Sequence, residues 1–227
     1  MPQGMLGNSE ALRRIIGGPV CDLIVKINGP DGPEYETALN KILRREDVLW
    51  HPAFERNEHG HVVATVIGLD LTGAQEVERL EAAGYRLSDW AKSCLLSKKK
   101  DSYDKNHRLV AGQSYKLALV PGKEIERDAD RTTDALLKHG MEKYGYGKPL
   151  GGHILRIRES VSDKQMEEMG GAWYIAGLHD PIEDSDGGPR VLCAGRRDDG
   201  RWLSAFWGKS GGRWSGYGLF AFPVLAS

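Results

Sequence analysis

The chain has little of what usually announces a function. It holds three cysteines, Cys21, Cys94 and Cys193, far apart and with no CxxC pair. That spacing excludes a zinc ribbon or a dense disulfide framework and leaves reduced, partly buried thiols. The longest apolar runs, such as Val62–Ile67 and Leu117–Val120, are strand-sized and far too short to span a bilayer. The opening MPQGMLGNSEALRRIIGG lacks the apolar stretch of a secretory signal. A cytoplasmic location and no membrane partner are therefore expected. Neither charge dominates: 31 Lys and Arg face 32 Asp and Glu, with a pI near 6.7. The positive excess of a dedicated duplex binder is missing. No repeat of solenoid length recurs.

What is present describes an ordinary folded chain, 40% hydrophobic and 28% charged over 227 residues. Its most unusual stretch is RWLSAFWGKSGGRWSGYGLFAF. Seven of the eighteen aromatic residues fall between Trp202 and Phe222, among five glycines. Glycine-punctuated aromatic runs predict strands and tight turns.

Periodicity predicts a helix over Glu10–Ile16, a strand over Cys21–Ile27 and a helix over Glu34–Arg45, then a strand within His61–Leu71. Thr72 and Gln75 form a capping-box pair that opens a helix to Ala83, with Val77, Leu80 and Ala83 on one face and Gly84 as its stop. Ser88 caps a second helix over Asp89–Leu96. Ser97–Arg108 reads as an exposed polar loop, and Tyr115–Val120 as a strand. A helix follows around Asp130–Tyr144. His153–Ile157 alternates like a strand, and Ser162–Met169 reads as a capped short helix before the apolar Trp173–Leu178. Arg190–Ala194, Arg201–Trp207 and Gly218–Val224 then read as a β-meander, with a hairpin turn at Asp198-Asp199-Gly200. The fold class expected is α+β: mixed β/α units first, an antiparallel aromatic, glycine-rich meander last. The domain reading is a flexible arm at 1–19, an α/β domain at 20–110 and an α+β domain at 111–227, with a single domain as the alternative.

Catalytic templates fail on required partners. Gly208-Lys209-Ser210-Gly211-Gly212 spells GxSxG, but no helix fits after Ser210 and no histidine follows His179. The GKS within it would need glycine at the position of Leu203 to be a phosphate loop. The acidic turn His179–Gly188 does not fit an EF-hand, since Ile182 and Cys193 would fall at ligand positions. An irregular metal site at Asp180, Asp184 and Asp186 stays open beside an Asx-turn reading, as does an Asp/His hydrolase or nuclease around His179–Asp186. His51, His59 and His61 lie near Glu55 and Glu58; His59 and His61, two apart, would share a strand face, but spacing assigns no third metal ligand.

Lys98, Lys99, Lys100, Lys105 and Arg108, with His107 and Tyr103, form the one dense basic patch, diluted by Asp101 and Asp104. With the two preceding helices joined by Gly84 they support a nucleic-acid reading, although the second helix offers only Lys92 and Ser93 as base readers. The last constellation is Trp202, Phe206, Trp207, Trp214 and Tyr217 with Arg197, Arg201 and Arg213 around it. On a strand Trp202 and Phe206 share one face and Trp207 takes the other, so both faces carry rings. One set can cover a core; the other needs a partner or a flat ligand, and the arginines suit stacking or an anion.

The order HDPIEDSDGGPRVLCAGRRDDGRWLSAFWG, ending in GLFAFPV, together with AAGYRLSDWAKSCL, resembles uncharacterised bacterial and phage proteins with a DSDG turn, a WL strand and an aromatic finish. The resemblance implies a bacterial or phage origin and brings neither fold nor function. The reading expected is recognition without catalysis through the aromatic/arginine surface, with no cofactor and with another protein, an anionic ligand or a second copy as partner. Whether the chain is an enzyme stays open.

Overall fold

The computed structural model describes residues 55–225, together with Ile24, Asn28, Gly29, Gly32 and Pro33. The chain divides into two compact units, Met1–Ala53 and Phe54–Ser227. In the first, Ile24 is helical rather than extended, and the Asn28 side chain donates to its carbonyl at 2.8 Å. The elements predicted around Glu10–Ile16 and Glu34–Arg45, and the rest of Cys21–Ile27, lie outside the described residues, as do Cys21 and His51.

The second unit is α+β. Its order is β1 (Val62–Ile67), α1 (Gly73–Ala82), β2 (Arg86–Leu87), α2 (Asp89–Leu96), α3 (Tyr103–Asn106), β3 (Ser114–Pro121), α4 (Thr133–Lys138), α5 (Gly151–Ser160), α6 (Asp163–Glu168), then β4 (Tyr174–Ala176), β5 (Ile182–Glu183), β6 (Pro189–Arg197), β7 (Gly200–Trp207) and β8 (Gly218–Pro223). A π-helical turn, His139–Lys143, continues α4. The strands form one mixed sheet in the order β1-β3-β8-β4-β6-β7-β2, with β5 beside the start of β6. It takes strands from both sides of position 110. Two pairings, β2 with β7 and β4 with β8, are parallel.

Period-two alternation divides the core into two layers. Leu117, Leu119, Leu192, Ala194, Leu219 and Ala221 meet Leu80, Leu95, Ile154, Ile157 and Met166 from the helices on one side. Ala118, Val120, Val191, Cys193, Phe220 and Phe222 face the other side, covered by Leu136, Tyr146 and Trp214. A strand buried on both faces reads as a continuous apolar run, as GLFAFP does.

Local signals place several elements well. Thr72 and Gln75 make the reciprocal capping box of α1, Ser88 caps α2, and Ser162 with Gln165 caps α6. Gly84 follows α1 at φ +80°, a backbone state that favours glycine. Arg197 pairs with Gly200 across Asp198-Asp199, forming the predicted hairpin.

Other expectations change. Of the helix face assigned to α1, Leu80 is buried but Ala83 is exposed, and Glu76 is buried instead. His153–Ile157 belongs to α5, not to a strand. The alternation came from Arg156 and Arg158, which read as solvent-facing but are buried: Arg156 is paired with Glu76 and Glu159, Arg158 with Asp163. A helix buried all round loses the amphipathic period that would identify it. Ser97–Arg108 is not simply an exposed loop, because Ser97, Ser102, Tyr103 and His107 are buried around α3. The third meander strand departs as well, since β8 lies between β3 and β4 rather than beside β7.

Helix α5 sits so close to its neighbours that its start must be glycine. A methyl on Gly152 would lie 2.7 Å from the His107 carbonyl oxygen and 2.8 Å from Leu109 Cγ. Gly152→Ala should therefore lower stability by about 1–3 kcal/mol, the usual cost of overpacking. Gly211→Ala, with open space around it, should be near neutral. Equal urea midpoints for the two variants would contradict this packing.

Candidate functional site

The second sheet face carries a pocket of about 400 Å³ lined by Tyr174, Phe206, Trp207, Gly212, Arg213, Trp214 and Ser215. Its rings come from three segments. Tyr174 and Trp214 lie 5.9 Å apart between centroids, as do Phe206 and Trp214, and Trp214 meets Phe220 edge-on at 5.5 Å. Trp214 is nearly buried and donates its indole N–H to Thr133 Oγ1 at 2.9 Å. Tyr174 OH accepts from the Ser215 amide at 3.1 Å and donates to the Ser215 carbonyl at 3.2 Å. Burial pushes its phenol pKa up to about 12.

The loop at 210–216 is held by the start of α4. The Thr133 and Asp134 amides, free at a helix N-terminus, donate to Gly212 and Ser210 carbonyls at 3.0 and 3.2 Å. Arg131 completes the anchor. Its buried guanidinium donates to the Ile125 carbonyl at 3.0 Å, the Glu126 carbonyl at 3.1 Å and the Trp214 carbonyl at 3.3 Å, and pairs with Asp128 at 2.8 Å.

Of the aromatic constellation, then, Phe206, Trp214 and Arg213 meet at one pocket, which Trp207 borders from the other sheet face. Phe206 is 45% exposed, so apolar ring surface stays open there. The Trp207 ring lies on the other sheet face, stacked on Arg190, whose guanidinium carbon lies 3.8 Å from the Trp90 and Trp207 centroids. Trp202 sits apart at the hairpin end, donating to Asp199 at 2.8 Å beneath Arg197 and Arg86. Arg201 lies over Tyr85. Tyr217 is 65% exposed and is not among the pocket's lining residues.

The acidic turn is built around Asp184. One of its oxygens accepts from the Gly188 and Asp186 amides at 2.8 and 3.0 Å, the other from Arg190 Nε at 3.0 Å. Burial opposes its charge, but those donors hold the carboxyl below the usual range. Asp180 pairs with Lys148, and Asp186 is exposed. Among the described residues no group of three His, Cys, Asp or Glu is placed to hold a metal ion. His179 is buried, with Nδ1 donating to the Asp180 carbonyl at 2.6 Å and Nε2 accepting from the Leu192 amide at 2.9 Å. Both nitrogens are used by the backbone.

In the basic patch, Lys98 pairs with Asp104 at 2.9 Å, Lys105 donates to the Lys99 carbonyl, and Arg108 grips Asp70. Lys99 and Lys100 are exposed. On α2, Lys92 pairs with Glu81, and Ser93 Oγ accepts from the Ser185 amide at 2.9 Å. Strand β2, between α1 and α2, pairs with β7.

A cluster that spacing did not reveal centres on Glu124, just after β3. Its carboxylate accepts from His61 Nε2 at 2.7 Å, His139 Nε2 at 2.8 Å and Tyr144 OH at 2.5 Å. Burial opposes its charge, yet these donors hold the carboxyl below its ordinary value. Tyr146 OH donates to His61 Nδ1 at 2.7 Å and accepts from Asn57 Nδ2 at 2.5 Å. The pair His59 and His61 was the only trace of this cluster in the sequence. No family model, no curated protein and no solved structure matches this chain.

Three buried histidines give the stability a definite pH dependence. Burial lowers His107 and His153 to about 4 and His179 to about 3, from an ordinary 6.5. Between those values the unfolded chain binds protons that the folded chain refuses. Stability should therefore be full above pH 6.5 and fall steadily towards pH 4. Urea midpoints measured from pH 7.5 to 4 check this, and a flat profile would contradict it.

Proposed function

We propose that this chain is a recognition protein whose Phe206–Trp214 pocket receives a flat ring bearing an anionic group, carried by a small ligand or by a partner protein. The observation that carries the reading is the ring surface left open there: Phe206 stays about half exposed beside a concavity of about 400 Å³. Ligand sites are mostly apolar concavities with a few polar groups that fix orientation. Rings at this site offer faces and edges for offset stacking. Arg213 lies in the lining, so a cation stands beside the apolar surface. The anchoring of residues 210–216 by Arg131 and α4 supports the reading further, because a preformed pocket loses less entropy on binding.

Anilinonaphthalene sulfonate, a flat ring system with one anionic group, is a direct probe. The folded protein should bind it saturably with quenching of tryptophan emission. Phe206→Ala should weaken binding at least about tenfold, or ~1.4 kcal/mol. Arg213→Ala should weaken the sulfonate more than an uncharged naphthalene. Unchanged affinity in Phe206→Ala would remove the proposal.

A further inference from the structure

At one end of the sheet, beyond its helical cover, a second cavity of about 280 Å³ opens over β1, β3 and β8. Helix α6 finishes beside it at Glu168, and Gly170 and Gly171, at φ +85° and +71°, lead the chain on to β4. The floor of the cavity is apolar. Val62 and Leu119, paired across β1 and β3, form it with Leu219 of β8 and Met169. The three strand residues belong to the buried aliphatic layer, so the floor is built before any ligand arrives.

Charges of both signs stand around that floor. Arg56 and Lys123 line the cavity, and neither forms an ion pair among the described residues. Arg56 holds the Gly60 carbonyl at 2.7 Å through one nitrogen, which leaves Nε and the other Nη for a ligand. Lys123 Nζ lies over Gly170, 3.4 Å from where a Cβ would stand. Glu168 is the acidic group of the lining; among the described residues its ion-pair partner is Lys164, at 4.0 Å the outer limit of such a pair. His61 lines the cavity too, but both of its ring nitrogens are committed to Tyr146 and Glu124.

A purely apolar guest would leave both cations unanswered, and a simple anion would sit beside Glu168. A zwitterion with an aliphatic tail satisfies all three features. Its carboxylate meets Arg56 and Lys123, its ammonium meets Glu168, and its tail covers the floor. The small volume admits one such molecule and no polymer. We propose that this cavity binds a free α-amino acid with an aliphatic side chain. The site is independent of the aromatic pocket, because its floor belongs to the opposite core layer from Trp214.

The test titrates the full chain with leucine and follows the backbone amide resonances of Gly60, Lys123 and Gly170. Saturable shifts are expected at all three. Glycine should bind at least about tenfold more weakly, since it leaves the floor uncovered. 4-Methylpentanoate lacks the ammonium and isopentylamine lacks the carboxylate; each should lose about tenfold, the usual worth of a hydrogen bond between charged groups. Lys123→Gln should cost leucine about tenfold and leave isopentylamine unchanged. Glu168→Gln should cost leucine as much and leave 4-methylpentanoate unchanged. Both side chains are exposed, so both variants should keep the parent's urea midpoint. An absence of saturable shifts, equal affinity for leucine and 4-methylpentanoate, or an equal loss for all ligands in Lys123→Gln would each overturn the assignment. Anilinonaphthalene sulfonate binding that persists in Lys123→Gln separates failure here from failure of the aromatic pocket.

Discussion

The buried guanidinium of Arg131 joins parts of the chain that otherwise share little. It binds the carbonyls of Ile125 and Glu126, directly after Glu124, and the carbonyl of Trp214 in the loop floor of the aromatic pocket. It also precedes α4, whose first amides hold residues 210–216 and whose extension carries His139. A cation out of water is tolerated only with such complete satisfaction. Arg131 therefore fixes the relation between the Glu124 segment, α4 and the Trp214 loop, and both chemically distinctive places on this sheet face depend on it.

The two layers of the core divide the labour. The face under α1, α2, α5 and α6 is mainly aliphatic and closed, and its buried charges are paired: Glu76 with Arg79 and Arg156, Arg158 with Asp163, and Asp184 with Arg190. The opposite face is aromatic, covered only by α4, its π turn and a loop, and it carries both the pocket and the Glu124 cluster. Rings fill space that a thin cover leaves, and they do so with polar handles such as Trp214 Nε1 and Tyr174 OH that must find partners. Buried polar handles on a lightly covered face are where a protein can present chemistry to a visitor.

Much of the architecture was legible where its cause is local. Thr72 with Gln75, Ser88, Ser162 with Gln165 and the Asp198-Asp199-Gly200 turn each fix their element within a few residues. The α5 helix was not legible, because its arginines satisfy themselves on Glu76 and Asp163 and so erase the contrast between inside and outside. Phe206, Arg213 and Trp214 could be gathered from sequence because they are close along the chain. Trp202, Tyr217, Arg197 and Arg201 share that proximity yet stand elsewhere, since a hairpin end and an exposed loop carry them away. Glu124 reaches His61 across 63 positions, a pairing that only the folded sheet creates.

Strand β8 follows every other described strand in sequence yet occupies the middle of the sheet. On one side lies the pair β1-β3, on the other β4, β6, β7 and β2, and among the described strands β8 is the only hydrogen-bonded bridge between them. As a ribosome extrudes this chain, two half-sheets emerge with facing unsatisfied edges, and neither can close on the other until the GLFAFP segment clears the exit tunnel. Such late, long-range closure is slow and leaves strand edges open to wrong neighbours. The nascent chain has to keep those halves apart or shielded until β8 arrives.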